Sequence, residues 1–252
     1  MDETIQVTLA ANAGVLLSYK DRKLLIDGLF HVEDVPYSNL SEASLKAIYD
    51  NKPPYDGIDY LIFTHRHPDH FSRRMLKEYL ERNKVRGVLL PPSDQPELTE
   101  FQKLLHSMEV RCMAIPVSGS SVIKPEPDMT IKTIPTRHLD RRFYDVPHAS
   151  ILIKLGEKNI LFTGDADYTM ETFGDIPSLH AVFLNPLFFH AYMSGRFFKG
   201  GFKTDAVCVY HVPFPEDDVF HVRDSIAKDI EKYQDRAADV YVLDSPDQQI
   251  IL

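Results

Sequence analysis

One short run of the chain, Thr64-His65-Arg66-His67-Pro68-Asp69-His70, constrains its fold and chemistry more than any other feature. It follows an apolar segment, Tyr60–Thr64, that we predict to be a buried strand, and open α/β sheets place their sites at such strand ends. His65 and His67 are two residues apart, so their imidazoles project to the same side of extended backbone. Asp69 and His70 lie in the turn toward the next predicted helix and can face a second position nearby. The spacing therefore predicts two adjacent metal ions.

The ligand types narrow the choice of metal. Imidazole and carboxylate groups suit zinc, and also manganese or iron, far better than calcium. The alternative is a solvent-exposed polar loop with chance histidines, which leaves three histidines and an aspartate after a buried strand unexplained. The cysteines, Cys112 and Cys208, form no CxxC or zinc-knuckle spacing, so thiolates are not expected among the ligands.

Apolar patterning predicts strands first and strand–helix units afterwards. In the first half we predict strands at residues 5–9, Val15–Tyr19, Leu24–Ile26, Tyr60–Thr64, Val88–Leu90 and Val110–Ile115. Helices are predicted at Ser41–Tyr49, after a cap at Ser72, and at Glu97–Met108. The apolar face of the last helix would consist of Leu98, Phe101, Leu104, Leu105 and Met108.

The second half repeats this plan. Strands are predicted at Ser121–Lys124, Met129–Pro135, Ala149–Leu155, Ile160–Thr163, Ala181–Leu184, Ala206–Tyr210 and Val240–Leu243. Between them we predict an irregular loop at Phe188–Phe202 and a helix at Glu216–Gln234 that buries Val219, Ile226, Ile230 and Tyr233. Both halves of the chain thus show a cluster of strands followed by strand–helix units. This repeated pattern predicts two packed sheets with helices outside. We expect one domain over residues 1–252.

Composition excludes several classes of protein. The chain has 252 residues, of which 44% are hydrophobic and 26% charged, as in globular proteins rather than disordered or fibrous ones. Its net charge of −9 disfavours nucleic acid and anionic membranes as partners, since both need a basic field. The first residues do not form a signal peptide, and the apolar stretch Ala181–Met193 is too short to span a membrane. We therefore expect a cytoplasmic protein with reduced cysteines.

The run HRHPDH matches the His-x-His-x-Asp-His signature of the metallo-β-lactamase superfamily, which this chain resembles over nearly its whole length. Other landmarks occur in order. Asp27 ends the segment LLID and resembles the early aspartate near the site. His138 in TIPTRH, Asp165 in LFTGDAD and His211 in VCVYH resemble the later ligands.

The resemblance implies an α/β fold, a four-layer αββα sandwich of two mixed sheets, and two divalent metal ions. One ion would be held by His65, His67 and His138, and the other by Asp69, His70 and His211, with Asp165 shared between them. Zinc is the expected metal, and manganese or iron are the alternatives.

Three of these assignments have rivals in the sequence. Asp165 could instead cap a helix. His138 could be a turn histidine, with His148 as the ligand in its place, and His211 could be a strand-end histidine, with His221 as its rival. His221 is the poorer candidate because it lies inside the predicted helix.

The resemblance also implies a mechanism. Redox diiron members of the superfamily typically carry glutamate where this chain has His67, so the hydrolytic branch is favoured. Two ions lower the pKa of a bridging water from about 15.7 toward neutrality and supply hydroxide as the nucleophile. Asp69 would be catalytic by orienting that hydroxide. The sequence contains no GxSxG motif that would indicate a serine nucleophile.

Candidate substrate residues lie after His138 and in the predicted glycine-rich loop. Arg141, Arg142 and Lys199 could neutralise an anionic substrate, although a solvated basic surface is an equal alternative. His190 is the candidate proton donor for a leaving group, and Tyr192 and His31 could line the same mouth. Arg137 is expected to point away from the site. The loop could be a lid or could mediate a homodimer.

The function predicted from these features is hydrolysis of a small anionic ester, with phosphodiesters preferred. A lactone or thioester hydrolase of the same fold is one alternative. An RNA- or DNA-processing nuclease is a second, and it would need a basic stripe. A non-enzymatic metal or ligand sensor is the third, and the complete ligand set argues against it.

Overall fold

A computed structural model describes residues 3–33, 37–169, 173, 175–197, 203–233 and 239–252. In this part of the chain the strands are β1 Ile5–Leu9, β2 Val15–Tyr19, β3 Arg22–Ile26, β4 Tyr60–Ile62, β5 Gly87–Leu90, β6 Cys112–Ala114, β7 Ser121–Glu126, β8 Met129–Thr136, β9 His148–Leu155, β10 Lys158–Phe162, β11 Leu179–Leu184, β12 Thr204–Val209, β13 Asp239–Val242 and β14 Gln249–Ile251. The helices are α1 Glu42–Tyr49, α2 Arg73–Leu80, α3 Pro96–Ser107, α4 Pro186–Ser194 and α5 Val222–Tyr233, with a short 3-10 helix at Arg141–Phe143.

The strands form two sheets of seven, in the orders β14-β1-β2-β3-β4-β5-β6 and β13-β12-β11-β10-β9-β8-β7. In each sheet, antiparallel pairs form one half and parallel pairs the other. The parallel halves contain the strand–helix units, because parallel neighbours need a crossover connection. The predicted sandwich of two mixed sheets with outer helices is confirmed.

Apolar side chains fill three layers, and strand periodicity explains how. In β2, Val15 and Leu17 point between the sheets, whereas Leu16 points outward under the helices. Both faces of the central strands are therefore apolar, as expected where helices cover the outside of a sheet. The outer layer of the second sheet, under α4 and α5, includes Phe188 and Ile226. This packing leaves the strand ends of both sheets side by side at one edge.

Local caps place the helices that follow the site-bearing strands. Ser41 and Ser72 are the N-caps of α1 and α2, and their side chains accept hydrogen bonds from the Ser44 and Met75 amides. The cap at Ser72 was predicted from the sequence. Each such bond contributes about 1 kcal/mol to helix stability and fixes where the preceding loop ends.

The structure corrects four predictions. Part of the predicted loop Phe188–Phe202 is helical, because Asn185 caps α4, Pro186 occupies its first turn and Gly195 ends it. Helix α5 begins at Val222 rather than Glu216, so Val219 is 65% exposed and His221 precedes the helix at φ 52°. Leu104 is 39% exposed rather than inward. Strand β14 was not predicted.

Cys112 and Cys208 are buried free thiols in the two sheets, as expected. Among the described residues, no helix is both long and apolar enough to cross a bilayer.

Candidate metal centre

The predicted ligands meet at the edge where strand ends of the two sheets adjoin. The loop after β4 supplies His65, His67, Asp69 and His70, and the segments after β8, β10 and β12 supply His138, Asp165 and His211. Bridges between His65 and His148 and between His138 and Ala166 join these segments through backbone hydrogen bonding. All seven side chains that the sequence pointed to are brought together.

The first ligand group consists of His65, His67, His138 and Asp165, whose ligand atoms all lie within 4.8 Å of one another. Nε2 of His65 is 3.0 Å from Nδ1 of His67. Nε2 of His138 lies 3.5 Å, and that of His65 3.9 Å, from Oδ2 of Asp165. Three imidazoles and one carboxylate therefore converge on one small volume.

The second group consists of Asp69, His70, Asp165 and His211, again with every ligand atom within 4.8 Å of the others. Nε2 of His70 is 3.2 Å from Nε2 of His211 and 3.5 Å from Oδ2 of Asp165. Nε2 of His211 is 3.4 Å from Oδ2 of Asp69. Asp165 belongs to both groups, since Oδ2 faces His65, His138 and His70 while Oδ1 lies 3.6 Å from His211.

These residues fit divalent metal ions. Ligands about 2.1 Å from a tetrahedral ion lie roughly 3.4 Å from one another. Neighbouring ligand atoms here are 3.0 Å apart between His65 and His67 and 3.9 Å apart between His65 and Asp165, and no pair within a group exceeds 4.8 Å. Nε2 of His67 and Nε2 of His138 are buried nitrogens without a hydrogen-bond partner among the described residues. Buried polar atoms are rarely left unpaired, so Nε2 of His138, which lies 3.5 Å from Oδ2 of Asp165, is well placed to bind an ion.

Asp27 holds His70 in place from behind. Its carboxylate accepts hydrogen bonds from the amide and hydroxyl of Thr64, at 2.8 and 2.6 Å, and lies 2.9 Å from Nδ1 of His70. This contact leaves Nε2 of His70 facing the other ligands, as expected of a carboxylate that orients a metal-binding histidine. Asp27 has φ 47°, a conformation uncommon outside glycine, so the turn after β3 is shaped for this contact.

His148 supports Asp165 rather than joining the ligand groups. Its Nε2 accepts the Asp165 amide at 3.0 Å, and its Nδ1 lies 2.6 Å from the Thr136 hydroxyl. Gly164 lies directly against it: a Cβ there would be 2.8 Å from Nε2 of His148, and its φ is 58°. Glycine is therefore required where β10 turns into the site. The first ligand group contains His138 and not His148, in agreement with the ligand set that the resemblance implied.

Histidine pKa values shift in opposite directions in the two groups, downward for His65 and His67 and upward for His70 and His211. Burial lowers the pKa of His67 to about 4 and that of His65 well below its usual value, so both imidazoles are neutral. Burial opposes the charged form of His70 and His211 too, but the carboxylates of Asp69 and Asp165 outweigh it and raise both pKa values. Burial likewise opposes ionisation of Asp165, yet His211 and His70 hold its pKa well below the usual range.

Two aromatic rings that sequence analysis missed flank the centre. Phe143, in the 3-10 helix, packs edge-on against His67 and His138, with ring centroids 4.6 and 5.3 Å apart. Tyr37 makes an edge contact with His211 at 5.5 Å. Both side chains are 38% exposed, so they border the opening. No local pattern distinguishes them from ordinary loop aromatics.

A cleft of about 480 Å³ adjoins Tyr37, and its lining includes His31, Pro68 and Arg74. Pro68 stands between His67 and Asp69 in the signature, so the cleft borders the loop that carries the ligands. His31 was predicted to line the mouth of the site, and it lies in this wall.

The arginines after His138 are exposed at the rim. Arg142 pairs with Asp140 at 2.6 Å, and it lies close enough to Tyr37 to oppose the rise in the pKa of that phenol, which burial causes first. Arg141 occupies the same exposed turn. Arg137, which was expected to point away from the site, donates a hydrogen bond to Asp167 at 2.5 Å and lies over the ring of Tyr144.

The loop residues are placed differently from the prediction. His190 lies on α4, where its Nδ1 is 2.8 Å from Asp229 of α5. Tyr192 packs on the outer apolar layer and against Phe197. In the described part of the chain neither residue belongs to the ligand groups, so the catalytic role predicted for His190 has no contact to support it. Lys199 lies outside the described residues, as does the rest of the predicted loop beyond residue 197.

Comparisons with known proteins agree with this geometry. The family model described as "Beta-lactamase superfamily domain" matches residues 22–193 of this chain. The metallo-beta-lactamase fold protein YhfI from Bacillus subtilis superposes with a TM-score of 0.64 at 15% identity, covering 100% of both chains. CmlA, a diiron beta-hydroxylase from Streptomyces venezuelae, superposes with a TM-score of 0.65 at 17% identity, covering 100% of this chain and 54% of the other. These similarities in structure establish the fold.

A sequence relative comes from Mycolicibacterium smegmatis and is named "Putative Rieske 2Fe-2S iron-sulfur protein". It is 30% identical over 105 residues, which are 40% of this chain and 18% of that protein. The chain thus spans a small part of this relative's length.

Proposed function

The chain belongs to the beta-lactamase superfamily, and we propose that it is a dinuclear-metal-dependent hydrolase of a small anionic ester, with phosphodiesters as the preferred class. The observation that carries the proposal is the pair of ligand groups that share Asp165. Divalent ions at these positions supply Lewis acidity, which lowers the pKa of water and polarises an ester oxygen. Zinc suits the five imidazoles and two carboxylates, with manganese and iron as alternatives.

His67 supports hydrolysis over redox chemistry. Among the described residues the ligand set consists of five imidazoles and two carboxylates, with no further anionic group to stabilise a higher-valent iron pair. We therefore expect the purified protein to hydrolyse esters without consuming oxygen or a reductant.

Asp69 is the candidate for orienting the attacking water. It is buried, and although burial opposes ionisation, His70 and His211 lower the pKa of its carboxyl. A carboxylate can only accept hydrogen bonds, so Asp69 can hold a water molecule by its proton and aim the oxygen lone pair outward. Its effect should be largest in the transition state, and Asp69→Asn should lower kcat more than it raises KM.

The preference for an anion rests on the rim after His138. Arg141 and Arg142 are exposed in the turn that also carries Phe143, and Arg74 lines the adjoining cleft. Charge-assisted hydrogen bonds to a substrate anion contribute roughly 1.5–3 kcal/mol each, and solvent screening reduces this for exposed groups. A small anion can be neutralised locally even in a chain of net charge −9.

A panel of chromogenic substrates tests the proposal. The full chain is reconstituted with Zn²⁺, Mn²⁺ or Fe²⁺ and assayed with a phosphodiester, a phosphomonoester, a lactone and a thioester. We expect the phosphodiester to give the highest kcat/KM. Two bound ions without turnover of any substrate would favour the sensor, and tight, strongly salt-dependent binding of oligonucleotides would favour the nuclease.

Arginine variants separate charge recognition from general effects. Arg142→Ala should raise KM for the phosphodiester by about tenfold with little change in kcat, because the lost contact is similar in ground and transition states. Arg137→Ala is the matched control, since it removes the same charge from a guanidinium held by Asp167. Equal effects of the two variants would contradict recognition by Arg142.

A lactone or thioester hydrolase is the second candidate, favoured by the two rings at the opening. Phe143 and Tyr37 offer apolar surface on either side of the ligand groups, which suits an acyl chain or a neutral ring. If this candidate is right, Phe143→Ala should reduce kcat/KM for the lactone or thioester more than Arg142→Ala does. The reverse order would support the anionic ester.

A further inference from the structure

Asn12 contacts the last ligand, His211, although the two residues are 199 positions apart in the chain. It is fully buried in the turn between β1 and β2. Its Nδ2 lies 2.7 Å from Nδ1 of His211, and its backbone carbonyl accepts the His211 amide at 2.8 Å. Its Oδ1 is buried without a hydrogen-bond partner in the described part of the chain. One end of the amide therefore touches the imidazole, and the acceptor at the other end is unused.

The chemistry of imidazole decides which end of the amide His211 needs. A neutral imidazole carries one proton and one lone pair, and it binds a metal through the lone pair. Nε2 is the nitrogen that faces the other ligands, 3.2 Å from Nε2 of His70 and 3.4 Å from Oδ2 of Asp69. Nε2 can bind an ion only when the proton is on Nδ1. That proton needs an acceptor, and of the two ends of the Asn12 amide only Oδ1 can accept it.

We propose that Asn12 is a positioning residue that selects the metal-binding tautomer of His211. Its Oδ1 accepts Nδ1–H when an ion is bound, and the amide reaches this state by turning over about its last side-chain bond. The two ends of an amide are nearly isosteric, so the turn needs no repacking. The proposal rests on the two-ion centre and is independent of the substrate.

The surrounding loops fix the Asn12 backbone, whereas its side-chain amide can take either orientation. Its amide donates to the Ser38 carbonyl at 2.9 Å, and the Ser38 hydroxyl accepts the Phe214 amide at 2.7 Å. His211 has φ 59°, so its segment is held in an uncommon conformation by these contacts. A purely structural Asn12 would act through its backbone, which any side chain preserves. Dependence on the acceptor is what distinguishes the two roles.

The test is Zn²⁺ binding to the metal-free full chain, measured by competition with a chelating dye for wild type, Asn12→Ala and Asn12→Asp. Loss of an outer partner of a ligating histidine typically costs 10- to 100-fold in metal affinity. We expect that loss for one of the two ions in Asn12→Ala, with the other ion unaffected. Asn12→Asp keeps an acceptor and should bind both ions close to wild-type affinity.

Ser38→Ala is the control, because it removes a bond that anchors the same loop without touching His211. It should bind both ions as the wild type does. An equal loss in Ser38→Ala would show that loop anchoring is responsible, and an equal loss in Asn12→Asp would show that shape matters rather than the acceptor. Either result overturns the proposal, as does unchanged binding in Asn12→Ala.

Nitrogen-15 NMR of the zinc-loaded wild type gives an answer that does not depend on how the variants fold. We expect the His211 ring to carry its proton on Nδ1. A zinc-loaded His211 with an unprotonated Nδ1 would overturn the proposal whatever the variants do.

Discussion

Three residues at the metal centre have backbone conformations that most residues avoid. Asp27, Gly164 and His211 all have positive φ, and all three lie where a strand turns into the site. Such conformations cost non-glycine residues of order 1–3 kcal/mol and persist where the surroundings over-determine them. Side chains are therefore aimed by strained turns at strand ends.

Gly164→Ala adds a single carbon atom at one of these turns and so tests its contribution to stability and metal binding. The new Cβ would meet Nε2 of His148 at 2.8 Å in addition to the unfavourable φ, so we expect a loss of about 2–3 kcal/mol in unfolding free energy. Because His148 holds the Asp165 amide, metal affinity should fall as well. Urea denaturation and metal titration measure the two effects.

Gly57→Ala is the matched control, since Gly57 has φ 64° and nothing within 4 Å of its Cβ position. It should cost about 1 kcal/mol and leave metal binding unchanged. If Gly164→Ala were no worse than Gly57→Ala, the crowding against His148 would have no energetic weight.

The two ligand groups should also differ in how pH affects metal binding. Carboxylates raise the pKa of His70 and His211 despite their burial, so an ion at the second group must displace protons at pH 7. Affinity there should rise with pH until pH exceeds those pKa values. Burial lowers the pKa of His67 to about 4 and that of His65 well below its usual value, so these two ligands should compete little with protons above about pH 5.

Calorimetric titration of Zn²⁺ in buffers of different ionisation enthalpy counts the protons released with each ion. We expect the ion at the second group to release more protons near neutral pH than the ion at the first group. Identical proton release for both ions would contradict the assignment.

At the scale of elements, α4 begins at the metal centre and leads away from it. Asn185 caps the helix through the Phe188 amide, and its Nδ2 donates to the Gly164 carbonyl at 3.0 Å. The first turn is therefore fixed to the site, while His190, one turn later, reaches Asp229 on α5. The helix therefore packs its aromatic side chains on the second sheet, and the described contact of His190 is with α5.

His190→Ala separates a structural role from a role as proton donor. The ion pair with Asp229 is half exposed on the histidine side, so its loss should lower the unfolding free energy by less than about 1 kcal/mol. Turnover should stay unchanged, because no described contact links His190 to the ligand groups. Asp229→Ala is the partner control and should have a similar effect. A selective fall in kcat for poor leaving groups would instead support His190 as a proton donor.

For the whole molecule, three apolar layers support the fold independently of the ions. The inner layer alone contains residues from Ile5 in β1 to Leu243 after β13 and joins both sheets. Burial of such surface contributes about 25 cal/mol per Å² and dominates stability in a sandwich of this size. Bound ions add to this only through their affinity for the folded state, about 4 kcal/mol for an ion at a thousand times its Kd.

Removal of the ions by a chelator should therefore lower Tm while leaving the far-ultraviolet circular dichroism unchanged. A thermal melt of the apo and reloaded full chain measures both. His67→Ala, which removes one ligand of the first group, should give an intermediate Tm with one ion retained. An apo protein unfolded at room temperature would show that the centre is required for folding.

The sequence alone determined the features that depend on neighbours within a few residues. The seven-residue run after β4, the cap at Ser72 and the period-two strands are local, and they predicted the sandwich and brought the ligand residues to notice. Helix α4 could have been predicted from Asn185, Pro186 and Gly195. Its own residues are mostly apolar, so they lack the alternation of apolar and polar faces that usually indicates a helix. Strand β14 was missed because its partner, β1, lies at the opposite end of the chain.

Only the tertiary structure decided which contacts the supporting side chains make with the ligands. Asn12 meets His211 across 199 positions, Asp27 meets His70 across 43, and His148 meets the Asp165 amide across 17. No periodicity or spacing specifies these contacts, because they form where the ends of separate strands from two sheets are packed side by side. Tyr37 and Phe143 face the centre for the same reason, since loop direction is set by the sheets that anchor each loop and not by the loop's own residues.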